Sequence, residues 1–69
     1  MKLYQITKKG QLLARSVSNP DTPTTRVLVY MDNNGSASNE QIKSRAGVEE
    51  QEASTAIGKL KRLGAIREV

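Results

Sequence analysis

The chain has 69 residues, a formal net charge of +4, and no Cys, His, Phe or Trp. So short a chain makes one domain with one small core, filled here by Leu, Ile, Val, Ala, Met and two Tyr. The missing residue types exclude disulfides and thiolate metal sites and remove the commonest acid–base and triad mechanisms, so no catalytic residue, metal or cofactor is expected.

Leu3-Tyr4-Gln5-Ile6 is β-prone and predicts a strand over 3–6. Thr7 follows as a helix cap. Leu12, Leu13 and Val17 then recur at helical spacing and predict a helix over 8–18. Gly10 falls in its first turn, where a glycine costs less than in mid-helix. Asn19-Pro20-Asp21 reads as a turn. Thr22-Pro23 puts a threonine at an N-cap and a proline at the first helical position, which predicts a helix over 23–32 with Val27, Leu28 and Met31 on its apolar face. Asn33-Asn34-Gly35 ends it with residues that tolerate positive φ.

Ser38-Asn39-Glu40-Gln41 has the form of a capping box and opens a helix over 39–46, with Ile42 and Ala46 facing inward together. Gly47 closes it. The longest helix follows over 49–63 and stops at Gly64, and Ala65–Val69 reads as a strand over 65–69. The expected fold class is α+β, mostly helical. The two terminal strands pair into a small two-stranded sheet, because a lone strand has no ladder. No apolar run approaches the ~20 residues of a membrane span, and MKLYQITKKG lacks the apolar core of a signal peptide, so the expected compartment is the cytoplasm with no membrane partner.

A short helix, a tight glycine turn and a longer helix form a helix-turn-helix arrangement. On a wheel of about 3.6 residues per turn, Ala53, Ala56, Ile57 and Leu60 gather on one side of the last helix, with Leu63 at the edge. The opposite side carries Gln51, Thr55, Gly58 and Arg62, flanked by Ser54 and Lys59, and its centre holds no acid. Gln and Arg bond base edges, Ser and Thr bond bases or phosphates, and Lys neutralises phosphate. Any solvent-facing side of a helix is also polar, and Gly58 there equally fits a close-packed neighbour. Glu49, Glu50 and Glu52 lie at the helix start, where carboxylates suit the helix dipole and repel phosphate.

The set Ser38, Ile42, Ala46, Gly47-Val48, Ala53-Ser54, Ile57, Leu60, Gly64 and Ile66 resembles the winged-helix core of MarR-type regulators, whose recognition helix ends in L-x-x-x-G-[LIA]-[IV]. Here that stretch is LKRLGAI, Leu60 to Ile66. YQITKKG, Tyr4 to Gly10, is similar to the Y-x-L-T-x-x-G element that follows the wing in the same family. Its place ahead of the helices resembles the N-terminal winged-helix modules of the archaeal and eukaryotic phenylalanyl-tRNA synthetase α-subunit. The resemblance covers nearly the whole chain and rests on core-packing positions, which specify fold better than function. It implies that Gln51, Ser54, Thr55, Gly58 and Lys59 face bases and that Arg62 lies nearer the backbone. Lys43 and Arg45 would touch phosphates, and Lys8 and Lys9 would extend the basic surface. Two departures stand out. No hairpin loop joins the wing strands, so the 3–6 strand takes the place of the second. The recognition helix also opens with Glu49-Glu50-Gln51-Glu52.

The expected function is non-catalytic nucleic-acid binding, duplex DNA first, in the manner of a transcription regulator. RNA or tRNA binding as an accessory module ranks second. Docking of a protein partner on the same scaffold ranks third, and a homodimer is compatible with the first reading.

Overall fold

Tyr4 and Ile6 are buried while Leu3 and Gln5 face water, the alternation of a strand with one side on a core. This is strand β1, Leu3–Ile6, of a computed structural model that describes residues 2–69. The chain continues through α1 (Lys8–Arg15), α2 (Pro23–Asn34), β2 (Ser36–Ser38), α3 (Asn39–Arg45), α4 (Glu50–Arg62) and β3 (Ile66–Glu68). The result is a small, mostly helical α+β domain with four helices and one antiparallel sheet. Among the described residues, no helix is long and apolar enough to cross a membrane.

The sheet departs from expectation. It has three strands, in the order β2-β1-β3, and not two. The terminal strands do pair, with Tyr4 opposite Glu68 and Ile6 opposite Ile66. Ser36-Ala37-Ser38 adds the third strand on the other edge of β1, with Tyr4 opposite Ala37. Serine and alanine carry little strand signal, so pairing rather than propensity makes β2. Gly35, at φ 79°, releases the chain from α2, and its carbonyl accepts from the Ile6 N–H at 3.0 Å.

Each helix start has a local cause. Thr22 and Thr25 cap one another reciprocally at α2, and Pro23 occupies the first helical position. At α3 the Ser38 N–H donates to Gln41 Oε1 at 2.9 Å, and the Gln41 N–H donates to Ser38 Oγ at 3.2 Å. The Glu49 N–H donates to Glu52 Oε1 at 3.0 Å at the start of α4. Helix α1 stops at Arg15, short of residue 18, because Ser16 and Val17 turn their N–H groups to Leu13 and Ala14 and tighten the last turn. Helix α2 runs on to Asn34, while α3, α4 and β3 are each slightly shorter than the sequence ranges.

The core is Val27, Leu28 and Met31 of α2, Ile42 of α3, and Ala53, Ala56, Ile57 and Leu60 of α4, closed by Tyr4, Ile6, Ala37 and Ile66 of the sheet. Leu12 does not join it. That side chain is 58% exposed, and the small residues Gly10 and Ala14 take the inner side of α1. The reason is a close approach between α1 and the link from α4 to β3. A Cβ on Gly10 would overlap the Ala65 carbonyl oxygen and stand 2.7 Å from Ile6 Cγ1. Gly10→Ala therefore forces backbone apart and should cost about 1–3 kcal/mol or more, read as a lower urea midpoint at unchanged slope. An unchanged midpoint would contradict this packing.

Candidate nucleic-acid interface

Helix α4 buries Ala53, Ala56, Ile57 and Leu60 against the rest of the domain, so its opposite side must face water. Gln51, Ser54, Thr55, Lys59 and Arg62 are all exposed there, and Gly58 is half-buried. Ala46 to Glu49 make the turn from α3, with Gly47 at φ 75°. Arg26 of α2 holds that turn. Its guanidinium donates to the Gly47 carbonyl at 3.3 Å and to the Pro20 carbonyl at 3.2 Å. Sequence reasoning missed Arg26, because an exposed arginine on a helix carries no periodic signal.

Gly58 does not serve close packing. A Cβ there would meet only Arg62 Nη2, at 3.8 Å. The Arg62 side chain lies back along the helix, and its Nε donates to the Gly58 carbonyl at 3.4 Å. Thr55 Oγ1 donates to the Gln51 carbonyl at 3.0 Å, which leaves its lone pairs free as acceptors.

Two groups of basic residues stand at the ends of α4. Lys43 and Arg45 of α3 stand near the acidic start of α4. Lys43 Nζ is 3.5 Å from Glu50 Oε1, so part of its charge is already answered. Arg45 is exposed and makes no ion pair among the described residues. The second group is at the far end of α4, whose last turn carries Lys59, Lys61 and Arg62. Lys61 is paired with Glu68 at 3.5 Å and also lies over the Tyr4 ring, 5.8 Å from its centroid. Lys9 comes within reach of this end, since its Cδ is 4.0 Å from where a Cβ on Gly64 would sit. Lys8 and Lys9 are exposed at the start of α1.

Two hollows flank the strip. An open groove of about 870 Å³ runs between Thr22–Thr24 and the side of α4 that bears Gln51, Thr55, Lys59 and Arg62. A smaller cleft of about 250 Å³ lies on the other side, where Ser54 and Lys43 meet Lys2, Tyr4 and Asn39. Asn39 Oδ1 is buried without a hydrogen-bond partner. Thr22, Thr24, Lys2 and Asn39 join the site only through tertiary contact, and no local pattern in the sequence places them beside α4. Compared with known proteins, the chain matches no protein-family model, no curated protein and no solved structure.

Gly58 thus costs helix stability without a packing return. Gly58→Ala should stabilise the domain by roughly 1 kcal/mol, seen as a higher urea midpoint. Destabilisation on that substitution would mean that something packs on Gly58.

Proposed function

We propose that this chain is a winged-helix domain that binds nucleic acid without catalysis, with duplex DNA as its first target and α4 as the reading helix. The observation that carries this is the exposed side of α4, where Gln51, Ser54, Thr55, Lys59 and Arg62 stand together, with Glu49 and Glu52 confined to its N-terminal edge. Supporting it, α3 and α4 are joined through the Ala46–Glu49 turn in a helix-turn-helix order. The sheet supports it too. β3 takes the place of the first wing strand, and β1, from the other end of the sequence, takes the place of the second.

In this reading α4 lies in the major groove, and phosphates are neutralised by Lys59, Arg62, Lys9 and Arg45. Lys43 contributes less, because Glu50 shares its charge. RNA fits less well. The two tyrosines are the only aromatic side chains, Tyr4 is buried and Tyr30 is partly buried, so neither offers a free stacking face. A-form RNA also hides its major groove from a helix. The acidic start of α4 is the feature that favours protein docking instead, and binding that ignores salt would point there.

The test is fluorescence anisotropy with a labelled random duplex across a salt series. Binding should weaken steeply with salt, and Lys59→Ala with Arg62→Ala should reduce the slope of log K against log salt by about 2. Glu50→Gln removes an acid and frees Lys43, so it should tighten binding while moving stability by less than about 1 kcal/mol. No binding at low salt, or an RNA competitor that displaces the duplex, would overturn the DNA reading.

A further inference from the structure

The charges of α4 and its N-cap Glu49 are antisymmetric about one point. Glu49 and Arg62, Glu50 and Lys61, and Glu52 and Lys59 are three acid–base pairs that share one midpoint, the peptide between Thr55 and Ala56. Compensation of the helix dipole explains acids at the start and bases at the end. It does not require matched distances from one midpoint. Nor does it require that two of the pairs face the same side.

The three pairs divide by face. Glu50 and Lys61 are spent within the domain, on Lys43 and Glu68. Glu49, Glu52, Lys59 and Arg62 make no ion pair among the described residues, and all four line the open groove beside α4. The groove therefore has an acidic end and a basic end. Between them lies exposed Thr55, with Ala56 buried beneath the groove floor, so no long side chain keeps a second helix away. Leu63, half exposed, and Pro23 add apolar surface along the wall.

We infer that this groove takes a second copy of the chain, with the two α4 helices antiparallel and crossing at Thr55–Ala56. A two-fold pair is an arrangement in which a surface meets itself, and the charge pattern selects its antiparallel form. Glu52 then meets the second copy's Lys59 about 5 Å along the axis from the crossing point, and Glu49 meets its Arg62 about 10 Å from it, each pair occurring twice. A parallel pair would set like charges side by side. The contact is a single helix crossing, far below the ~1,600 Å² of a standard interface, so the dimer is weak and forms at high concentration and low salt. Thr55, Lys59 and Arg62 are also reading-strip residues. Dimer and nucleic acid therefore compete for them, although the dimer itself stands independently of the nucleic-acid reading.

The experiment is sedimentation equilibrium on the full chain, with the fold of each variant checked by NMR. Wild-type protein should self-associate at low ionic strength and lose at least about tenfold in affinity near physiological salt. Glu49→Lys with Glu52→Lys makes the groove wholly basic, and Lys59→Glu with Arg62→Glu makes it wholly acidic. Each double variant alone should be monomeric, and an equimolar mixture should associate more tightly than wild type. Thr55→Arg, which leaves the helix ends and their capping untouched, should also abolish self-association while strengthening duplex binding. That opposite pair of effects separates failure of the dimer from failure of the DNA reading. A wild-type chain that stays monomeric at low salt, variants that associate like wild type, or a mixture that does not associate would each overturn the proposal. Capture of a different protein by a groove that never pairs with itself would overturn it as well.

Discussion

The fold hangs on a clamp between residues near the two ends of the sequence. Thr7 Oγ1 accepts from the Gly10 N–H at 3.1 Å and so caps α1. The same hydroxyl donates to the Gly64 carbonyl at 2.6 Å and lies 3.0 Å from the Ala65 carbonyl, while the Thr7 N–H donates to Ala65 at 2.9 Å. Gly10 lets the helix backbone come down on Ala65. One threonine therefore starts a helix, ends the β1–β3 ladder, and ties down the link that leaves α4. The stretch YQITKKG has a physical role at four of its positions: Tyr4 and Ile6 fill the core, Thr7 caps and bridges, and Gly10 makes room. The clamp ties α4 down at its end and Arg26 holds the α3–α4 turn at its start, which leaves its outer side turned to water.

Electrostatics along α4 then set what that side can do. Acids at the start and bases at the end stabilise the helix itself. They also divide the surface, so phosphate is attracted to the end near Lys59, Arg62 and Lys9 and repelled from Glu49 and Glu52. Lys43 partly offsets the repulsion through Glu50. The net charge of +4 is therefore not spread evenly around the domain, and the whole-chain figure understates the basic end. The same division makes the groove self-complementary, so one charge pattern serves helix stability, the proposed phosphate contacts and the proposed self-pairing.

Much of this was legible in the sequence, and the parts that were not share a cause. Capping residues and glycine stops marked all four helices because those signals act within a few residues. The pairing of the terminal strands was legible because an unpaired strand is unstable. β2 was not, since Ser36-Ala37-Ser38 is a strand only by virtue of β1 beside it. The helical spacing of Leu12, Leu13 and Val17 marked α1 as a helix without showing which side of it packs inward. The approach to Ala65 leaves room only for Gly10 and Ala14, and this turns Leu12 outward. On α4 the wheel separated buried from exposed residues well. It did not show that Arg62 folds back on Gly58, that Lys43 is paired, or that Thr22–Thr24 form the far wall of a groove. Each of those depends on which elements meet, and local pattern does not carry that.

The proposed role makes the outer side of α4 a nucleic-acid surface and not only the back of a core helix. The most direct measurement is a two-dimensional NMR titration of labelled protein with a random duplex at low and at moderate salt. Shifts should concentrate on Gln51, Ser54, Thr55, Gly58, Lys59 and Arg62, with smaller ones at Lys9 and Arg45, all fading steeply as salt rises. A spectrum that the duplex leaves unchanged at low salt, or shifts confined to residues remote from α4, would contradict it.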